Sequence, residues 1–413
     1  VSRTFRTHSG RAAWSGERDG VSWQASANYQ REDYFRLNEY FRGASYYRAD
    51  THGIRADAGA QTSLSLRGPA GFDPTFGLDY RRGMVDAADL QTRPSLSYAR
   101  DQGRMDIFAP YAQVVKEVSG VRLQAGLRYD NAYFHNGYYS NTSPGWGPAN
   151  GPLDTHRWEN FSPKISAGWD YAEGFSQYVS YGRSFRAPPL EDMCLSLMRG
   201  SGSAARFTMA NPRLRPEKVG TAETGFRMNP AKGVYLDPGA YVSLGEDFIY
   251  EINTGDTILI NGTSTPVYKK WNVSRVKIYG AEVPLRSVFG PVTVSASYGW
   301  SESRILRFTY NTALQRKILT YAPRHLLSLG MEYRSGTSTA GAEWRYKSRQ
   351  YADDANTAGL GAYGTLSLSA SRRLTKTISA RIRADNVLDE RYTESLTDMA
   401  PGRTVTATLE AEF

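Results

Sequence analysis

The sequence predicts an all-β chain folded as a transmembrane antiparallel β-barrel, and three observations carry that expectation. Polar and apolar residues alternate with a period of two in segment after segment, connections alternate between short and long, and aromatic residues are abundant although no apolar run is long. A period of two sets one face of a strand in an apolar medium and the other in a polar one. Short turns at one end and long loops at the other are the arrangement of a transmembrane barrel. The 413 residues are 40% hydrophobic and 13% aromatic, with 28 Tyr. No run of about 18 or more apolar residues occurs, which excludes a bundle of membrane helices. Tyr and Trp suit the membrane interface, where an apolar ring with a polar tip is favoured.

The alternation can be followed along the chain. Val121, Leu123, Ala125, Leu127 and Tyr129 interleave with Arg122, Gln124, Gly126 and Arg128. The same pattern fills Ala222 to Met228, Val292 to Trp300, Ala340 to Tyr346 and Ile378 to Ala384. In the last strand Val405, Ala407, Leu409, Ala411 and Phe413 alternate with Thr404, Thr406, Thr408, Glu410 and Glu412. A barrel's final strand closes the cylinder with one face in lipid and one in the bore. Roughly seventeen strands are expected on this pattern. Arg and Glu on an inward face are unfavourable in a packed core but not in a bore that holds water or a filling domain.

Short turns are expected near Glu17–Gly20, Gly68–Gly71, Val118–Gly120, Ala172–Gly174, Pro230–Gly233, Phe289–Pro291, Ser335–Ser338 and Leu374–Thr377. Long loops are expected at about Asp33–Gly53, Phe134–Arg157, Ala187–Pro216, Asn253–Arg275, Ile305–Ala322 and Gln350–Gly361. With the C-terminus in the periplasm, all of the long loops fall outside the cell. One barrel domain over 1–413 follows. The net charge of +9 is spread over many strands. That distribution fits a solvated surface or lipid phosphates and speaks against nucleic acid, although it could also attract an anionic cargo. The single cysteine, Cys194, leaves no partner for an intrachain disulfide, and no leader is visible at Val1, so the chain is expected to be mature or trimmed.

Five segments in fixed order resemble TonB-dependent outer-membrane receptors, the gated transporters for siderophores, haem and cobalamin. Tyr181 to Pro188 (YGRSFRAP) resembles the family's FRAP-like box, with Phe185, Arg186 and Pro188. Asn211 to Glu217 (NPRLRPE) resembles its NPxLxPE box, with Asn211, Pro212, Leu214, Pro216 and Glu217. Ile278 to Glu282 resembles the YGxE strand through Gly280 and Glu282, and Asn386 to Tyr392 resembles the NxxDxxY segment through Asn386. Pro401-Gly402-Arg403 opens the last strand and Phe413 supplies a terminal aromatic.

The resemblance implies a barrel that normally has 22 strands, a plug domain that fills it, and a preceding segment that engages the TonB–ExbB–ExbD complex. Neither plug nor preceding segment is visible in the sequence. It also implies insertion through Phe413 by the barrel assembly machinery, a bacterial outer-membrane location, outer-membrane lipid as a neighbour, and a monomer.

The boxes have a folding reading in the residues themselves. Pro188 ends a strand, Pro212 and Pro216 hold an extended loop, Gly280 allows a close backbone approach, and Arg186 can pair with Glu217. Arg122, Arg128, Arg227, Arg345, Arg381 and Arg383, with Glu343, Glu410 and Glu412, face inward and can meet a plug or line a cargo's route. His135, Tyr138, Tyr139 and Trp146 form the most aromatic external loop and can either meet a flat chelate or fold on one another.

The expected function is energy-dependent uptake of a scarce metal chelate, foremost a ferric siderophore. Haem, cobalamin or copper reception, a passive porin-like channel, and an outer-membrane enzyme or adhesin are the alternatives. The resemblance implies a His between the FRAP-like and NPxLxPE boxes in haem receptors; Pro189 to Ala210 contains none, but Met193, Cys194, Met198 and Met209, which disfavours haem. Their sulfur could suit copper, or simply form an apolar patch. No catalytic motif, resident cofactor or metal-ligand spacing is found.

Overall fold

The computed structural model describes residues 2–42, 44–199, 205–260, 262–396 and 398–412. Among them are 23 strands, of which six are short pieces in loops or beside a break. The remaining seventeen form the wall: β1 (Ser2–Arg18), β2 (Val21–Arg42), β3 (Ser45–Leu66), β4 (Phe72–Arg93), β5 (Ser97–Val118), β6 (Val121–Asn141), β7 (His156–Ala172), β8 (Phe175–Arg186) and β9 (Glu217–Ala231), then β10 (Gly239–Ile260), β11 (Thr263–Phe289), β12 (Val292–Phe308), β13 (His325–Ser335), β14 (Ser338–Lys347), β15 (Tyr363–Arg373), β16 (Ile378–Asp385) and β17 (Thr404–Ala411). Each strand pairs antiparallel with the next, from β1 on β2 to β16 on β17. Among the described residues no pairing joins β17 back to β1, so the closing role expected of the last strand is not seen in them. Phe413 lies outside the described residues.

The short turns follow from local chemistry. Arg18 pairs with Val21 and Val118 with Val121, leaving two-residue turns. Asp19 and Gly20 both take positive φ, as do Ser119 and Gly120. That is the primed turn geometry whose twist matches the flanking strands.

Two of the expected long loops are ladder instead. Residues 33–42 and 45–53 belong to β2 and β3, which pair as far as Arg42 with Ser45. Residues 253–260 and 263–275 belong to β10 and β11, which pair as far as Ile260 with Thr263. The alternation weakens there because a strand above the lipid has water on both faces. A strand of 22 residues runs about 75 Å, whereas a tilted membrane crossing needs about 9–11 residues. The hairpins therefore stand well clear of the bilayer. True loops remain, among the described residues, at 142–155, 187–216, 309–324, 348–362 and 386–403.

The two faces of the wall differ as the alternation predicts. Leu123, Ile165, Leu329, Ile382 and Leu409 are exposed on the outer face, and Val294 is half-buried there. The opposite face carries Arg128, Asp130, Glu343, Arg345, Arg381 and Arg383, paired across rows of Ser, Thr and Gly. On that inner face rings lie over glycines. Tyr241 covers Gly280, where an added Cβ would sit 2.8 Å from Tyr241 Oη and 2.3 Å from Trp300 O. Tyr178 covers Gly225 in the same way, at 2.4 Å.

This packing gives a prediction. Gly280→Ala should destabilise the barrel by about 1–3 kcal/mol, read as a smaller folded fraction in heat-modifiable gel migration. Gly299→Ala, where nothing lies within 4 Å, should leave that fraction unchanged.

Candidate functional site at the mouth of the barrel

The mouth is organised by a clasp. Glu217 begins β9 buried, and its carboxylate takes Arg186 Nε at 2.6 Å while accepting the Ile249 backbone N–H at 2.8 Å. Asn211 donates through Nδ2 to Lys270 O at 2.8 Å and accepts Arg213 N at 3.1 Å. Asn272 accepts Arg215 N at 2.9 Å and donates to Arg215 O at 2.8 Å. Leu214 and Pro216 are fully buried. The FRAP-like and NPxLxPE segments thus fasten the loop between β8 and β9 onto β10 and β11.

So fastened, the loop folds inward. A helical turn in it, α1 (Leu190–Cys194), places Met193 and Cys194 in an apolar cluster with Val85, Met105, Ala132, Phe134, Trp158 and Leu214. The short strand Arg206–Met209 adds in parallel to β11 at Val267–Lys269. Cys194 is 0% exposed, and Cys194 Sγ–H donates to Leu190 O at 3.0 Å. Burial raises its thiol pKa, so it is a packed thiol rather than a free soft ligand. Met198, by contrast, is exposed.

Above this floor, the inner face of β2–β5 carries a polar surface. Arg55 lies 5.2 Å over the Tyr34 ring and reaches Glu191 of α1 at 2.5 Å. Arg36 donates to Thr51 Oγ1 at 3.1 Å, and Thr51 donates to Asp89. Tyr40 and Tyr47 stack at 5.0 Å. Asp101 is pushed up to about 7, by burial first and then by Asp89, Glu191 and Asp86, against the pull of Arg55. Tyr34, Arg36, Tyr40, Tyr47 and Thr51 were missed in the sequence because residues 33–53 read as a loop. The signal was present: Tyr34, Arg36, Asn38 and Tyr40 alternate with Phe35, Leu37, Glu39 and Phe41.

The four aromatic-loop candidates do not form one surface. Tyr139 is 2% exposed and Trp146 7%, packed with Phe207, Ile258, Ile260 and Val267. Trp146 meets Phe207 edge-on at 4.8 Å. His135 sits on the outer face, bonded to Asp106 at 2.7 Å and stacked on Tyr133. Tyr138 is exposed on that outer face, opposite Gln102.

The remaining boxes are turn and packing devices. Asn386 donates to Glu390 O at 3.0 Å and accepts Glu390 N at 2.9 Å, while Asp389 accepts Arg403 N at 2.8 Å. Glu282 is exposed beside Gly280.

Deeper in the bore, Arg128 bridges Asp79 and Asp130, Arg345 holds Glu343 at 2.8 Å, and Arg383 holds Asp385 at 2.8 Å. Arg122 and Arg227 line a cavity of about 600 Å³ with Glu117, Asp170 and Asp237 at the short-turn end. Among the described residues, Arg122 and Arg381 have no carboxylate partner.

An apolar outer wall, a charged bore and a mouth narrowed by clasped, inward loops define a receptor-type membrane barrel. The chain belongs to the TonB-dependent receptor-like β-barrel family, whose model matches residues 2–387. Three solved structures illustrate the fold. The ferric yersiniabactin uptake receptor FyuA from Yersinia pestis is 14% identical over 98% of this chain and 61% of its own, with a TM-score of 0.72. The pyoverdine outer membrane receptor FpvA from Pseudomonas aeruginosa PAO1 is 15% identical over 100% and 62%, with a TM-score of 0.74. The copper transporter OprC is 19% identical over 99% and 65%, with a TM-score of 0.77. The chain thus spans less than two thirds of each of these relatives.

Two predictions follow from the mouth. Glu217→Ala strands the Ile249 N–H and frees Arg186, and should destabilise the clasp by about 1–3 kcal/mol; limited proteolysis should then cut within 187–216 faster than in the parent. Asp101 has its pKa raised above the unfolded value of 3.8, so its ionisation opposes the folded mouth as pH rises from about 4 to 7 and adds no further change above that. The protection factors of the Asp192 and Leu195 amides, measured against intrinsic exchange at each pH, should fall across that window, and Asp101→Asn should flatten the response.

Proposed function

We propose that the protein is a bacterial outer-membrane receptor that takes up a scarce metal chelate, foremost a ferric siderophore, with energy from the TonB–ExbB–ExbD complex. The observation that carries this reading is the clasped loop between β8 and β9, whose described residues turn into the bore rather than lying open at its rim. An inward, fastened loop over a charged bore suits capture and gated release better than free diffusion. Tyr34, Arg36, Arg55, Tyr40 and Tyr47 offer rings and positive charge to a ligand entering from outside, where rings stack on flat chelates and Arg pairs with carboxylate or hydroxamate oxygens.

Energy coupling would run through parts of the protein beyond the barrel wall. Arg122, Arg227 and Arg381 are placed to meet a domain held in the bore. The barrel would act as one copy, embedded in outer-membrane lipid after insertion by the barrel assembly machinery. Copper is weaker as a cargo on this reading, because Cys194 and Met193 are sealed in the floor of the mouth.

Deletion of the full gene should abolish growth on at least one ferric chelate as sole iron source, and Arg55→Ala with Tyr34→Ala should weaken uptake of that chelate several-fold. Unchanged uptake of every ferric chelate in the deletion strain would remove the proposal. A high single-channel conductance of the intact protein would replace it with a passive channel.

A further inference from the structure

The apolar outer face is not smooth. Ala125 and Ala167 stand among Phe72, Leu123, Ile165 and Tyr181, and the wall recedes there into a groove of about 600 Å³. A second groove, of about 790 Å³, opens where Ala340, Ala370 and Ala380 stand among Tyr333, Ile382 and Leu409. The two lie far apart along the sheet yet are built alike. Both sit at the short-turn end of their strands, and each has one basic side chain at that end.

Lys116, two residues before the end of β5, pairs with Phe72 on one side and Leu123 on the other. Arg372, one residue before the end of β15, pairs with Ser338 and Ala380. Both are exposed on the outer face, and among the described residues neither has a carboxylate partner. Each groove therefore offers an apolar trough, an aromatic ring at its lower edge and a cation aimed at the interface.

We propose that each groove holds one anionic glycerophospholipid of the periplasmic leaflet, its acyl chain in the trough and its phosphate on Lys116 or Arg372. This rests on the reading that the wall spans an outer membrane. A long basic side chain at the hydrocarbon edge lays its stem on apolar surface and carries its charge to the headgroup layer. The trough removes acyl-chain surface from a loose bilayer contact and sets it against fixed apolar side chains. The phosphates of lipid A belong to the other leaflet, about a hydrocarbon thickness of 30 Å away, and would not reach either cation.

The test uses the intact protein extracted from outer membranes in mild detergent and analysed by native mass spectrometry while phosphatidylglycerol is titrated. Two lipids should be retained per molecule. Lys116→Gln and Arg372→Gln should each weaken one of them about fivefold, the effect of about one charge at an anionic surface, with Lys116→Arg keeping both. The double variant Ala125→Leu, Ala167→Leu should fill the first trough and remove one lipid while leaving the second. Heat-modifiable migration identifies variants that have folded. Retention that is the same in folded Lys116→Gln, Arg372→Gln protein as in the parent overturns the proposal, as does preferential retention of lipid A. Lipid retention with no loss of chelate uptake on gene deletion would count against the transport reading alone.

Discussion

In hydrocarbon a backbone N–H or C=O has no water to turn to, so a chain that crosses must pair all of its peptide groups within itself. The antiparallel ladder that runs strand to strand from β1 to β17 meets that demand for every strand between those two edges. The remaining features depend on it. Because the ladder fixes the backbone, side chains have only two directions to point, and the period of two sorts them into a lipid face and a bore face. Tyr241 over Gly280 and Tyr178 over Gly225 are second-order effects of the same constraint, a ring filling the space that a neighbouring strand's glycine leaves open.

The clasp converts that wall into something more selective than a tube. Glu217 is nearly fully buried yet satisfied twice, by a guanidinium and by a backbone N–H. A buried carboxylate is tolerable only under those conditions. The result is that the described part of the loop between β8 and β9, rich in apolar side chains, is held against the bore and packs around Met193, Cys194 and Leu214. The same seal desolvates Asp101 and sets it beside Asp89 and Glu191, which makes the floor of the mouth responsive to protons near neutrality.

The wall was legible in the sequence because lipid enforces the alternation. Val121–Tyr129 and Ile378–Ala384 read as strands and are strands. The short turns were legible because primed geometry demands residues such as Asp19-Gly20 and Ser119-Gly120. The mouth was not. Above the bilayer both faces of β2 and β3 meet water, the contrast between faces fades, and ladder is mistaken for loop. Tyr139 and Trp146 misled for a related reason: a ring in an external segment looks the same in sequence whether it awaits a ligand or, as here, packs against Phe207 and Ile260. The FRAP-like and NPxLxPE boxes could be read as folding devices, but their partners Ile249, Lys270 and Asn272 lie dozens of residues downstream, and only the folded register brings them together.

The sealing of Cys194 has a practical side. It is the one sulfhydryl in 413 residues, wholly covered and kept in its unreactive protonated form. This barrel wall is in effect without a reactive thiol of its own. A cysteine introduced at the tip of a tall hairpin, on the bore wall or in a lipid groove could carry a fluorophore, a spin label or a crosslinker without background, and movement at the mouth could be followed in whole cells.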